Sequence, residues 1–229
     1  WQDELWLVAG GIFGGSLYFF TENTALGITQ ASNVSFIICT APLLTTILSL
    51  LFYKSEKASK GLIYGSLLAL MGVGLIVFNG SFVLKISPIG DLLTLLAALS
   101  WAFYSLIIKK MAGRYPTIFI TRKIFFYGVL TILPAFLLHP LHPDTAVLLQ
   151  PAVLFNLLFL AVLASLICYV LWNVVLKQLG TVRASNYIYL NPLVTMIASF
   201  LILDEKITLV ALGGAACIVC GVYWAEKKS

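Results

Sequence analysis

The chain has 229 residues, of which 61% are hydrophobic and only 10% charged, with a formal net charge of +5. A soluble domain carries about 25% charged residues, so this chain cannot cover its surface with polar side chains, and the same imbalance excludes intrinsic disorder. Its solvent is a lipid bilayer.

A membrane-spanning helix needs about 20 apolar residues. Eight runs meet or approach that length, roughly 5–20, 33–53, 61–79, 89–108, 118–138, 152–176, 184–203 and 207–225. Unalternated stretches such as Leu157-Leu158-Phe159-Leu160 exclude barrel strands, which alternate apolar and polar residues. The expected fold is an all-α polytopic bundle of eight transmembrane helices. Span two carries Asn33 and Pro42, and span three carries Gly61, Gly65, Gly72 and Gly74, small residues that let helices approach closely. Span four starts at Pro88, Gly90 and Asp91, where a carboxylate favours a helix N-terminus. His139 and His142, between spans five and six, lack a carboxylate cluster, so no metal is expected. Cys217 and Cys220, in span eight, stand without a second ligand pair nearby and read as packing residues. No cofactor is expected either.

Cations alternate along the chain. Lys54, Lys57 and Lys60, then Lys109, Lys110, Arg114, Arg122 and Lys123, then Lys177 and Arg183, and finally Lys227 and Lys228 leave only Lys85 and Lys206 for the alternate connections. The positive-inside rule places the first set and the C-terminus in the cytoplasm of a cell (inner or plasma) membrane. The positive charge is thus a topology signal, and its division among short connections argues against nucleic acid as a partner.

The chain repeats itself. Ala41-Pro42-Leu43-Leu44-Thr45 and its continuation to Ser49 and Glu56 match Asn191-Pro192-Leu193-Val194-Thr195, Ser199 and Glu205, and each unit is followed by a lysine and a Gly-rich span. Spans two and seven are an odd number of crossings apart, so the copies traverse the membrane in opposite directions. Such inverted repeats occur in secondary transporters, with substrate near the midplane at the repeat interface. Pro42 and Pro192 are candidate paired hinges, or static bends, because a proline inside a helix kinks it.

With these two proline units, the segments Gly90-Asp91-Leu92-Leu93 and Ala98-Leu99-Ser100-Trp101-Ala102-Phe103-Tyr104 resemble the EamA branch of the drug/metabolite transporter superfamily. The resemblance covers the whole chain. It implies two five-helix repeats, ten helices in all, so the first two helices are expected to be missing here, with residues 1–79 the remainder of one repeat and 80–229 the second. It also implies that spans one, two, four, six and seven line a central cavity while spans three and eight pack peripherally.

Polar side chains at bilayer depth face a bundle interior or a wet cavity. Trp101 and Tyr104 in span four, Tyr169, Trp172 and Asn173 in span six, Tyr187 and Asn191 in span seven, and Asn33 in span two are the candidate substrate-binding residues. Interfacial belts and helix-to-helix glue are the competing roles for such residues. The expected function is a transporter moving small organic metabolites, amino acids or related compounds, by alternating access, with export the resemblance's direction. No ionisable residue falls at the middle of a predicted span, so weak or absent proton coupling is expected. A non-transporting scaffold is the alternative; an intramembrane enzyme fits less well, because no catalytic constellation is present. Small-molecule substrate and lipid are the expected partners, and monomer and homodimer both stand open.

Overall fold

A computed structural model of the chain describes residues 1–53, 59–78, 87–138, 145–203 and 207–227, and every regular element among them is a helix. The readings made for Lys54, Glu56, Lys57, Lys85, His139, His142, Glu205, Lys206 and Lys228 lie outside the described residues. Helix α1 covers 2–28 and includes a π-helical turn at Ile12–Ser16. It is followed by α2 (Ala31–Phe52), α3 (Lys60–Phe78), α4 (Pro88–Ala112), α5 (Thr117–Leu138), α6 (Pro151–Leu179), α7 (181–203) and α8 (Leu209–Lys227).

Among the described residues, seven helices are long and apolar enough to cross a membrane, where eight spans were expected. The difference is α1. Its apolar run was expected to stop near residue 20, yet the helix continues to Ile28 through a polar stretch. The hydroxyls of Thr21 and Thr24 donate to the carbonyls of Leu17 and Phe20 at 2.8 and 2.6 Å, and the Asn23 amide donates to Phe19 O at 2.8 Å. These back-bonds satisfy the polar groups within the helix itself and carry Glu22 along with it.

Both proline helices are interrupted rather than merely bent. Helix α2 divides into α2a (Ala31–Ile38) and α2b (Ala41–Phe52); α7 divides into α7a (Thr181–Asn186), a 3-10 turn at Tyr187–Leu190, and α7b (Asn191–Leu203). A proline ring clashes with the carbonyl four residues earlier, which is Ile38 for Pro42 and Ile188 for Pro192. The α-helix ends at that point in the first case and tightens there in the second. Each proline then sits in the first turn of the following helix, where no N–H is needed.

The two interrupted helices run antiparallel. The later half of one, α2b, packs on the earlier half of the other, α7a, while α2a and α7b line a shared cavity. Helices α3 and α8 are antiparallel too, and their backbones touch. A Cβ on Gly65 would lie 2.5 Å from Gly221 O, and one on Gly72 would lie 2.5 Å from Gly214 O.

One end of the bundle gathers cations and their partners. Arg114 donates to Asp3 Oδ1 at 2.5 Å and Lys123 to Glu4 Oε1 at 2.6 Å, while the ammonium of Lys110 lies 3.6 Å from the Trp6 ring centre. Tyr115 donates to Asp3 Oδ2 at 3.0 Å, and that hydrogen bond, with the carboxylate's charge, holds the phenol above its usual range. At the other end, Asp91 in the first turn of α4 accepts from the Ser87 N–H at 3.1 Å, and its charge favours that helix N-terminus.

Candidate binding cavity

Five of the eight residues expected to bind solute meet in one cluster. The Trp101 ring centre lies 5.2 Å from Tyr104, 5.7 Å from Tyr169 and 5.9 Å from Trp172. Tyr104 and Asn173 are buried to 0% and 1% exposure. The Tyr104 hydroxyl donates to Asn173 Oδ1 at 2.7 Å, and Asn173 Nδ2 donates to Thr121 Oγ1 at 2.9 Å, which ties α4, α6 and α5 together. Tyr169 crosses to α1 and donates to the Gly14 carbonyl at 2.5 Å. Gly14 has no side chain because the Tyr104 ring occupies the space a Cβ would take. The buried indole N–H groups of Trp101 and Trp172 have no hydrogen-bond partner, so the cluster holds two donors in reserve.

Tyr104 and Asn173 are fully buried, and their hydrogen bonds link three helices. Tyr104→Phe strands the Asn173 carbonyl in a dry site, so it is expected to cost about 1–3 kcal/mol of stability. Thermal unfolding in detergent measures this, and an unchanged midpoint would contradict it.

A small pocket of about 200 Å³ adjoins the cluster at Tyr169, Gly14 and Phe19. A cavity of about 450 Å³ is bounded by α1, α2a, the end of α3, α7b and the start of α8. Asn191 and Pro192 line it, together with Thr195, Ser35 and Glu22. Asn33 is buried at 1% exposure in α2a outside the lining, and Tyr187 is 40% exposed in the 3-10 turn. Helices α3 and α8, expected at the periphery, each contribute a wall through Ile76, Val77 and Ala211. Their glycine contact draws them together as a pair, which brings both to the cavity's edge. Glu22 went unnoticed in the sequence because the apolar run ends before it. The Tyr18 hydroxyl donates to Glu22 Oε1 at 3.0 Å, and the Tyr18 ring centre lies 5.1 Å from that of Trp101, the planes tilted by 49°. Cavity and aromatic cluster are therefore joined through one tyrosine.

The two proline units differ at matched positions. In the register that superposes Pro42 on Pro192, Ser35 falls on Ser185, Ala31 on Thr181, Thr195 on Thr45 and Asn191 on Ala41. Ser35, Ala31, Thr195 and Asn191 are exposed in the cavity. Their counterparts Ser185, Thr181, Thr45 and Ala41 are buried at 1% exposure or less. One end of the α2–α7 pair is open where the other is packed shut.

Comparison with known proteins agrees with this architecture. Residues 1–78 and 88–225 match the EamA-like transporter family. The chain is 30% identical to an uncharacterized transporter of Archaeoglobus fulgidus, over 99% of this chain and 78% of that protein. It is 29% identical to a Salmonella typhimurium protein named "probable amino-acid metabolite efflux pump", over 75% of this chain and 60% of that one. A solved crystal structure at 19% identity superposes with a TM-score of 0.80, covering 99% of this chain and 76% of the other, and shares the fold.

Proposed function

The chain belongs to the EamA-like transporter family, and on that premise we propose that it exports small organic metabolites, amino acids or related compounds, by alternating access between two inverted repeats. Residues 1–79 belong to the first repeat and 80–229 to the second. The family is one of transporters rather than enzymes, and the chain is a multi-pass membrane protein. The observation that carries the reading is the antiparallel pair of proline-interrupted helices, with α2b packed on α7a at one end and α2a and α7b around the cavity at the other. Two copies of one unit in opposite orientations can exchange these arrangements, and the exchange moves the opening from one side of the bundle to the other.

In the proposed orientation the cation-rich end faces the cytoplasm, so the cavity opens outward. Asn191 and Thr195 offer amide and hydroxyl groups to a solute's polar end, while Val34, Ile38 and Met196 shield its apolar part. The aromatic cluster of Trp101, Tyr104, Tyr169, Trp172 and Asn173 forms the firm wall beside the cavity, and Pro42 and Pro192 mark the interruptions at which each half turns. The family names of relatives, including the efflux pump of Salmonella typhimurium, support export of amino-acid metabolites.

A panel of labelled amino acids in proteoliposomes tests the proposal. Flux above the protein-free background is expected for at least one solute, and Asn191→Ala is expected to lower it about tenfold through the loss of a buried hydrogen bond to the solute. No protein-dependent flux across the panel would contradict it.

A further inference from the structure

We propose that Glu22 anchors a cationic amine on the transported solute. This rests on the transport reading above and narrows its substrate class to molecules that carry an ammonium group beside an apolar body. Glu22 is the only charged side chain among the described residues that line the cavity. Its Oε1 accepts the Tyr18 hydroxyl at 3.0 Å from one turn earlier. That bond orients the carboxylate yet uses one of about four acceptor positions, leaving the others for a ligand.

Among the described residues, none of the ionisable groups that interact with Glu22 is cationic. The ionisable groups that interact with it or with Tyr18 are the phenols of Tyr18 and Tyr169 and the thiol of Cys39, all uncharged in their protonated forms. Glu22 is partly buried; a carboxylate withdrawn from water is costly unless paired, and among the described lining residues the pair is not supplied by the protein. A solute's ammonium supplies it. Beyond the carboxylate the wall turns apolar at Leu26, Val34 and Ile38, which suits a hydrocarbon body attached to the amine. The same carboxylate repels anionic solutes.

The test uses the purified full chain and three probes that share one branched hydrocarbon body, with binding followed by calorimetry near neutral pH. Leucinamide carries the ammonium, 4-methylpentanamide lacks it, and 4-methylpentanoate lacks it and carries a carboxylate in place of the amide. Leucinamide is expected to bind at least about tenfold more tightly than 4-methylpentanamide, with 4-methylpentanoate weakest. Glu22→Gln keeps the shape and the acceptor for Tyr18, and it is expected to erase the preference while leaving 4-methylpentanamide unaffected. Equal affinities in the unaltered protein, no leucinamide binding at millimolar concentration, or a preference retained in Glu22→Gln would each overturn the proposal. The first comparison needs no variant, so a poorly folding Glu22→Gln leaves the test intact. Flux of solutes without regard to the amine would overturn this proposal and leave transport standing. Leucinamide binding without flux of any solute would do the reverse.

Discussion

Thr45→Trp is expected to shift the bundle toward the opposite opening. Thr45 is buried at 0% exposure in α2b, within the layer where that helix packs on α4 and α7a. An indole in that layer overpacks it, at about 1–3 kcal/mol or more, and the whole cost falls on the state in which the layer is closed. A two-state equilibrium moves about tenfold for each 1.4 kcal/mol of such bias. The reporter is Ser35→Cys, exposed in the cavity, whose labelling by a membrane-impermeant maleimide is expected to slow about tenfold in the Thr45→Trp background. Thr195→Trp, at the equivalent position on the open wall, adds no such cost to the state described and is expected to leave labelling fast. Unchanged labelling in a folded Thr45→Trp protein would show that the α2b–α7a layer does not govern the opening.

The second large effect concerns the pair formed by α3 and α8. A Cβ on Gly221 would lie 2.5 Å from both Ala69 N and Gly65 O, and one on Gly72 would lie 2.8 Å from Ile218 N. These neighbours are backbone atoms, so no rotamer change relieves the clash and the helices must part. Gly72→Leu or Gly221→Leu is therefore expected to cost about 3 kcal/mol or more and to abolish a monodisperse, folded preparation. Gly213, one residue from the contact glycine Gly214, has open space around it. Gly213→Ala is expected to raise the unfolding midpoint slightly, since alanine is favoured over glycine in a helix by about 1 kcal/mol. Opposite signs within one helix distinguish loss of the close approach from any general intolerance to substitution. If Gly72→Leu melted like the unaltered protein, the backbone contact would be irrelevant to stability.

Much of the architecture is legible in the sequence because a bilayer imposes length and apolarity on every crossing. Spans two to eight follow from that requirement. The limit of α1 does not, since a hydropathy run stops at Thr21 and Glu22 whatever the backbone does; the threonines at 21 and 24, which bond back into their own helix, are the signal that the helix goes on. Helical spacing likewise groups Tyr169, Trp172 and Asn173 on one face of α6. Spacing does not reveal whether that face meets a void or another helix, and here Tyr104 and Thr121 fill the space. Asn191 and Pro192 reach the cavity because the repeated Pro-x-x-Thr unit marks the helix that is open in one copy and closed in the other. Glu22 was visible only as an acid beyond a span. Its place in the cavity depends on α1 staying helical and on α2a and α7b standing apart, which local sequence does not encode.

The central claim is that the openings at the two ends of the α2–α7 pair exchange. Pulsed electron paramagnetic resonance in liposomes addresses it with two label pairs, Gln30 with Ile202 at the open end and Phe52 with Leu179 at the packed end, all four exposed. The account predicts two distance populations for each pair, changing in opposite senses when solute or Thr45→Trp shifts the equilibrium, so that one pair closes as the other separates. A single fixed distance for both pairs under every condition, or both separating together, would contradict it.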